Sequence, residues 1–302
     1  MHLIDGHTHV FDTLAGFGPR GELRAIGGGK ARWANGDVIS MIPDGLGDRA
    51  FTYDTLAELL KQNNVERAVL LQGSFYGFQN DYVQEAAKNY PDLFVPSGTF
   101  DPLCAEAEQL AERLIEGQKC RILKFETSSG GGLMGYHTPF DLDGSVFEST
   151  FARIASADAT LVLDLGSPGM ASFQPEAVAH IAEKYPSMRI VICHLLAPGL
   201  ADGVALEKSL RILKLPNIWF DLAAIPWKIW PEQYPYPTGR GFIRLAKQLV
   251  GADKLIWGTD VPSVLTKDSY QNLLTYVTES DIFSCSELEG VLYGNACDAY
   301  AL

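Results

Sequence analysis

Residues 160–194 read TLVLDLGSPGMASFQPEAVAHIAEKYPSMRIVICH and contain one complete repeat of a strand–helix–strand pattern. Thr160–Leu165 and Arg189–His194 are short aliphatic runs with the length and composition of strands that are buried on both faces. Between them, Pro175–Tyr185 spaces its apolar residues as a helix does, with proline at its start and a Tyr-Pro pair at its end. The stretch therefore predicts a right-handed β–α–β unit with parallel strands.

The same alternation extends over the rest of the chain. The predicted strands are Leu3–His7, Arg67–Gln72, Phe94–Thr99, Arg121–Glu126, Thr160–Leu165, Arg189–His194, Asn217–Leu222 and Lys254–Gly258. The predicted helices are Tyr53–Asn63, Asp81–Asn89, Ala105–Glu116, Phe147–Ala157, Pro175–Tyr185, Ala205–Leu213, Gly241–Val250 and Tyr270–Glu279. Eight such units predict an α/β fold of the (β/α)8 TIM-barrel type. With no linker visible, residues 1–302 are predicted to form a single domain.

Two connections are longer than the others. Val10–Phe51 is rich in glycine, and Ala223–Gly239 is dense in proline and aromatic residues. Both follow the carboxyl end of a strand, which is the face where TIM barrels carry their chemistry. Long loops without secondary structure are usually lids or disordered, so residues 10–51 are predicted to be a lid-like insertion.

The composition excludes some partners. A formal net charge of −13 argues against binding to nucleic acid or to an anionic membrane, but it leaves room for a small anionic substrate in a local basic pocket. Five scattered cysteines without a Cys-x-x-Cys pair are typical of reduced thiols in a cytoplasm. Neither a signal-peptide pattern nor an apolar run of roughly 18 residues is present, so a cytoplasmic location is expected.

His7 and His9 are the first candidates for a chemical role. Residues i and i+2 of a strand point to the same side, so both imidazoles can enter the barrel mouth. Two converging imidazoles suit a divalent metal such as zinc. The alternative is an accidental pair on an exposed turn.

Asp260 is the second candidate, in Trp257-Gly258-Thr259-Asp260 at the end of the eighth predicted strand. Because the eighth strand of a barrel closes against the first, Asp260 is expected beside His7 and His9. There it can ligate a metal or take a proton from bound water. Its alternative role is that of a helix N-cap.

Four motifs together resemble the amidohydrolase-related family: Asp5-Gly6-His7-Thr8-His9, Cys193-His194, Gly258-Thr259-Asp260-Val261-Pro262 and Tyr293-Gly294-Asn295-Ala296. The chain is also similar to the 2-pyrone-4,6-dicarboxylate lactonase group. The resemblance spans essentially the whole chain. It implies a TIM barrel with one divalent metal, usually zinc, and a hydrolase, lactonase or decarboxylase activity. His7 and His9 then match the first-strand ligands, Asp260 the eighth-strand aspartate, and His194 the sixth-strand histidine that orients water, ligates metal or binds substrate.

One residue departs from the family pattern. The family commonly has a histidine at the end of the fifth strand, where this chain has Asp164. Asp164 can replace that histidine as a ligand of zinc or manganese, or serve as an acid or base. A metal-free site is a third alternative, since similar lactonases work without a metal.

Lys124 and Glu126 share one face of the fourth predicted strand, and that face points into the lumen. We expect Lys124 to contact a substrate carboxylate and keep Glu126 as a candidate ligand. A structural ion pair within the barrel mouth is the alternative.

Further substrate contacts are predicted in loops. Arg24 and Arg32, in the long first connection, can clamp an anionic substrate, since guanidinium groups match carboxylates. Trp227 can form the wall of a ring pocket, and His137 can reach the substrate from the loop after the fourth strand. The alternatives are solvated loop positions or, for the arginines and the aromatic residues, an interface in a homo-oligomer.

These residues together predict a metal-dependent hydrolase of a small carboxylate-bearing lactone or amide. His7 and His9 would hold the metal, Asp260 would act as ligand or base, and His194 would stabilise the oxyanion or relay a proton. Three alternatives stay open: a non-oxidative decarboxylase on the same site, a metal-independent lactonase, and a non-catalytic binding barrel.

Overall fold

A ring of eight parallel strands forms the centre of the computed structural model, which describes residues 2–302. The strands of the whole fold are β1 (Ile4–Thr8), β2 (Ala15–Gly18), β3 (Gly21–Gly27), β4 (Lys30–Trp33), β5 (Val38–Ser40), β6 (Arg67–Leu70), β7 (Phe94–Pro96), β8 (Ile122–Glu126), β9 (Thr160–Asp164), β10 (Ile190–Ile192), β11 (Ile218–Asp221) and β12 (Leu255–Ile256). The helices are α1 (Tyr53–Gln62), α2 (Asn80–Asn89), α3 (Ala107–Glu112), α4 (Ser145–Ser156), α5 (Pro175–Lys184), α6 (Gly203–Ile212), α7 (Ile225–Lys228), α8 (Pro237–Val250), α9 (Tyr270–Thr278), α10 (Cys285–Glu289) and α11 (Asn295–Tyr300).

Two parallel sheets, β1–β6–β7 and β8–β9–β10–β11–β12, make up the ring. Backbone hydrogen bonds join them at both edges. The N–H of Lys124 donates to the Gly98 carbonyl over 2.9 Å, and the N–H of His9 donates to the Val261 carbonyl over 3.0 Å. The order of strands around the ring is therefore the order in the chain, and the predicted (β/α)8 barrel is confirmed.

The eight predicted strands and eight predicted helices are all present, with shifted ends. The last strand was expected over Lys254–Gly258 but pairs only over Leu255–Ile256, because the N–H of Trp257 turns away to the Val291 carbonyl at 2.9 Å. Helix α8 was expected from Gly241 but begins at Pro237, since proline fixes a helical φ and lacks the N–H that the first turn leaves unpaired.

Residues 10–51, predicted to be a lid-like insertion, are not a loop without secondary structure, and their role as a lid stays a prediction. This segment contains an antiparallel four-stranded sheet, β2–β3–β4–β5. Leu23, Ala31 and Trp33 alternate with exposed neighbours and are buried, which gives the sheet one apolar face. The N–H groups of Ala15 and Phe17 donate to carbonyls of the loop after β6 and so join the sheet to the barrel.

The C-terminal helix α11 closes the end of the barrel where the strands begin. Ala296, Ala299 and Tyr300 pack against a cluster of buried strand residues that includes Ile4 and Val162. The Tyr300 hydroxyl donates to the Gly6 carbonyl over 3.0 Å. The opposite end, where the strands finish, is the end at which TIM barrels carry their catalytic residues. Among residues 2–302, no helix has the length and apolar character needed to cross a bilayer.

Candidate active site

His7, His9 and Asp260 meet at the carboxyl ends of β1 and β12. The Nε2 atoms of His7 and His9 are 3.1 Å apart, and Asp260 Oδ1 lies 2.9 Å from His9 Nε2 and 3.6 Å from His7 Nε2. Both imidazoles are buried, and the Asp260 side chain is 17% exposed. The expected proximity of the first and last barrel strands thus brings the three groups to one point.

The outer nitrogens of both rings are occupied by acceptors. His7 Nδ1 lies 2.9 Å from Asp221 Oδ2, and His9 Nδ1 lies 2.9 Å from the Leu71 carbonyl. A carbonyl or carboxylate can only accept, so each Nδ1 carries the proton and each Nε2 presents a lone pair. Two lone pairs and a carboxylate oxygen that converge in this way are a set of ligand atoms that a divalent cation can accept.

The spacing of these three atoms fits a divalent metal. Ligand atoms bound to zinc at about 2.0–2.1 Å lie roughly 3 to 3.5 Å from one another, close to the separations found here. Among residues 2–302, the groups whose ligand atoms all lie within 4.8 Å of one another are His7–His9–Asp260 and His7–His194–Asp221. Asp164 and Glu126 belong to neither group, and their role as ligands stays a prediction.

The protonation states of the three groups suit this role. Burial lowers the pKa of His7 and of His9, and the nearby charge of Lys124 adds to the effect. Burial opposes ionisation of Asp260, but the close approach of His9 and the charge of His194 outweigh burial and lower its pKa. Neutral imidazoles and an ionised carboxylate are the forms that bind metal.

His194 and Asp164 form a second pair beside this cluster. His194 Nε2 lies 3.5 Å from Asp164 Oδ2, while His194 Nδ1 lies 3.1 Å from the Ala223 carbonyl. Burial and Lys228 lower the pKa of His194, but the hydrogen bond and charge of Asp164 outweigh them and raise it. Burial opposes ionisation of Asp164, yet His194 and the nearby lysines hold its pKa well below its usual range. Both directions favour the charged form of the pair, in which a proton on His194 Nε2 faces Asp164.

A left-handed turn places His194. Four consecutive non-glycine residues, His194 to Ala197, have φ values of 59°, 50°, 68° and 48°. Each such residue costs about 1–2 kcal/mol, so the surrounding packing must impose the turn. It leaves the His194 ring stacked on the His7 ring, with centroids 4.9 Å apart. The backbone N–H of His194 donates to Asp221 Oδ1 over 2.8 Å and fixes the start of the turn.

A pocket of about 240 Å³ opens above these groups. Its polar lining combines acidic, basic and hydroxyl side chains, and its apolar lining comes from loops after several strands. The lining residues are His9, Phe75, Tyr76, Lys124, Glu126, Ser128, Gly130, Gly131, Asp164, Gly166, Ser167, Met170, His194, Ala224, Trp227, Lys228, Asp260 and Ser263.

Lys124 and Glu126 both reach this pocket from β8, on the face assigned to them by strand alternation. Lys124 is almost fully buried, at 2% exposure. Burial would lower the pKa of Lys124, but the surrounding acidic groups raise it, so the amine remains a cation. Glu126 accepts a hydrogen bond from the Phe75 N–H at 3.2 Å, which ties it to the loop after β6.

The sequence reading missed Asp221, which links the two parts of the site. Its carboxylate accepts from His7 Nδ1 through one oxygen and from the His194 N–H through the other. A readable signal was present, because an acidic residue ends the apolar strand Trp219-Phe220-Asp221 at the functional end of the barrel. That signal is weak, because carboxylates in this position are also common helix caps.

Tyr76 and Lys228 were also missed, and the sequence held no signal for either. The Tyr76 ring lies 4.6 Å from the His9 ring, and its hydroxyl donates to Ser263 Oγ over 2.8 Å. Lys228 lines the pocket from the one-turn helix α7. Both lie in loops whose paths depend on tertiary packing rather than on a local pattern.

Three predicted substrate contacts lie outside the pocket. Arg24 and Arg32 are cross-strand partners on the exposed face of the inserted sheet, because strand alternation directs their side chains away from its buried face. His137 is bound to Asp101, with 2.6 Å between Nε2 and Oδ2, and does not line the pocket. Trp227, by contrast, forms part of the wall.

The chain is similar to known proteins in sequence and in fold. A family model described as amidohydrolase matches residues 4–302. An L-fucono-1,5-lactonase from Burkholderia ambifaria is 32% identical over 92 residues, which are 28% of this chain and 30% of the lactonase. The match thus spans less than a third of that relative.

Solved structures share the whole fold at low identity. An amidohydrolase from Burkholderia multivorans with bound zinc is 20% identical, with a TM-score of 0.75 and 100% of both chains covered. A probable 2-pyrone-4,6-dicarboxylic acid hydrolase from Acinetobacter baumannii, with citric acid bound, is 18% identical, with a TM-score of 0.70 and 100% of both chains covered. At these identities the likeness establishes the fold alone.

Proposed function

The chain belongs to the amidohydrolase family, and on that premise we propose that it is a metal-dependent hydrolase of small carboxylate-bearing lactones or amides. The observation that carries the proposal is the convergence of His7 Nε2, His9 Nε2 and Asp260 Oδ1 at the floor of a pocket that also contains Lys124. The zinc bound to the Burkholderia multivorans structure supports it, as does the lactonase activity named for the Burkholderia ambifaria relative.

His7, His9 and Asp260 would hold the metal, with zinc expected and manganese as the alternative. Such an ion lowers the pKa of a bound water to about 7 and polarises a carbonyl. Asp221 orients the His7 ring and keeps its Nδ1 protonated. The Leu71 carbonyl does the same for His9.

The remaining residues would bind the substrate and move protons. Lys124 and Lys228 present positive charge to the pocket and can receive a substrate carboxylate. The proton on His194 can stabilise the oxygen that gains charge when water adds to the carbonyl. Asp164 holds that proton in place beforehand.

The decisive experiment combines elemental analysis with turnover. Protein purified without chelator or nickel affinity is analysed for metal and assayed for ring opening of 2-pyrone-4,6-dicarboxylate, which bears carboxylates, and of L-fucono-1,5-lactone, which does not. We expect about one zinc or manganese per chain and a preference for the charged lactone. The His7→Ala/His9→Ala variant should lose both metal and turnover. His180→Ala, which changes an exposed histidine on α5, should keep both.

Three other results of this experiment would each contradict part of the proposal and favour a different function. Turnover by protein that contains and accepts no metal would contradict the metal step and assign a metal-independent lactonase. Release of CO₂ in place of ring opening would assign the decarboxylase alternative. Tight binding without turnover of a broader lactone and amide panel would assign a binding barrel.

A further inference from the structure

Trp227 separates the catalytic pocket from a second, smaller cavity. Trp227 lines the pocket that contains Lys124 and Asp260, and it also lines a space shared with Trp230 and Lys267. The position of this ring therefore sets one wall of the space offered to a substrate.

Little regular structure holds Trp227 in place. Helix α7, which carries it, has four residues and begins after Ala224, a non-glycine residue with a φ of 56°. Between α7 and Pro237, where α8 begins, the chain forms no helix or strand. A wall built on such a segment depends on side-chain contacts for its position.

Lys267 supplies that contact from a different loop. Its Nζ lies 4.1 Å from the centroid of the Trp227 ring and 4.9 Å from that of Trp230. Within residues 2–302 no carboxylate lies within 4.0 Å of this amine, so the two rings are its close partners. Lys267 belongs to the loop after β12, which also carries Asp260 and Ser263 into the pocket.

We propose that Lys267 is a positioning residue, which clasps Trp227 and Trp230 and so fixes the wall of the pocket relative to the loop that carries Asp260. The inference rests on the proposed function only in naming the pocket as a substrate site. A cation over an aromatic face is attracted by the ring quadrupole, and the attraction is preserved by arginine and abolished by methionine. Because Lys267 is exposed, its removal leaves the core intact.

The test compares Lys267→Met, Lys267→Arg and Lys254→Met. Lys254 is a matched control, since its Nζ lies 4.0 Å from the Trp219 ring at the opposite end of the barrel. With 2-pyrone-4,6-dicarboxylate as substrate, we expect Lys267→Met to raise KM about fivefold with kcat within twofold. Lys267→Arg should restore KM, and Lys254→Met should leave both constants unchanged.

A second readout does not need activity. In a Trp219→Phe background the accessible indoles are those of Trp227 and Trp230, because Trp33 and Trp257 are buried. Acrylamide should quench this fluorescence more strongly after Lys267→Met, and at the original level after Lys267→Arg or Lys254→Met.

Unchanged quenching after Lys267→Met would contradict the positioning role of Lys267. So would quenching after Lys267→Arg that stays above the original level. A wild-type protein that hydrolyses no lactone but shows the expected quenching pattern would contradict the proposed function and keep the clasp.

Discussion

At the scale of single residues, Asp221 links two parts of the site, because its one carboxylate accepts hydrogen bonds from both His7 and His194. Its Oδ1 accepts from the backbone N–H groups of His194 and Ala223, at 2.8 and 3.1 Å, and its Oδ2 accepts from His7 Nδ1. A side chain with two acceptor atoms is therefore needed here.

Asp221→Asn is predicted to weaken metal binding while the fold survives. The amide oxygen must face the two backbone donors, which leaves its NH₂ group toward His7 Nδ1 and forces the proton of His7 onto Nε2. A histidine protonated at Nε2 cannot ligate through that atom. We expect a roughly 10- to 100-fold loss of zinc affinity, measured by competition with a chromogenic chelator.

Asp143→Asn is the matched control for this variant, since Asp143 bonds an exposed histidine, His180, outside the barrel mouth. An Asp221→Asn protein that binds zinc as tightly as wild type would show that His7 does not depend on Asp221 for its tautomer. The unfolding midpoint of the metal-free protein, measured alongside, separates this effect from a general loss of structure.

The same scale shows how far the site could be read from sequence. His7, His9 and Asp260 were predictable because strand alternation and barrel closure alone determine where they point. Tyr76 was not, because its contact with His9 depends on the path of a loop that the inserted sheet holds in place. Side chains on strands follow a rule of geometry, whereas those on loops follow packing that no short pattern encodes.

At the scale of elements, the fold departs from the prediction where glycine interrupts the pattern. Strands β3 and β4 are joined through Gly27, Gly28 and Gly29, all with positive φ, in a turn that other residues adopt only under strain. In the sequence alone, this run of glycines is typical of a disordered loop. The alternation of Leu23, Ala25, Ala31 and Trp33 around it was the signal of a sheet, but each strand is too short to stand out.

The same rule about φ predicts the effect of a substitution at the junction before β8. Lys119 has a φ of 56° and an exposed side chain, so Lys119→Gly should relieve backbone strain and stabilise the protein by about 1 kcal/mol. Lys208→Gly makes the same change in the middle of α6 and should destabilise by about 1 kcal/mol. Chemical denaturation of the two variants would measure the difference, and equal losses of stability would contradict the left-handed conformation at residue 119.

At the scale of the whole molecule, the barrel divides its tasks between two ends. The ends where the strands finish carry His7, Lys124, Asp164 and His194, charged or polar groups buried at the expense of stability. The ends where the strands begin are sealed by Ala296, Ala299 and Tyr300 of α11 and hold an apolar cluster. Stability and chemistry should then respond to different substitutions.

Tyr300→Ala tests this division. Tyr300 is 1% exposed and donates to the Gly6 carbonyl, so its truncation removes a buried ring and a hydrogen bond. We expect a loss of about 3–5 kcal/mol, a large share of the roughly 5–15 kcal/mol that holds a folded protein together. Tyr300→Phe keeps the ring and should cost only about 1 kcal/mol. Below the unfolding transition, kcat/KM should match wild type in both variants, because the lost contacts lie at the end of the barrel where the strands begin and not in the pocket. A fall in kcat/KM that tracks the loss of stability would mean that the two ends are coupled through the strands. The position of His7 would then depend on the contact between Tyr300 and Gly6.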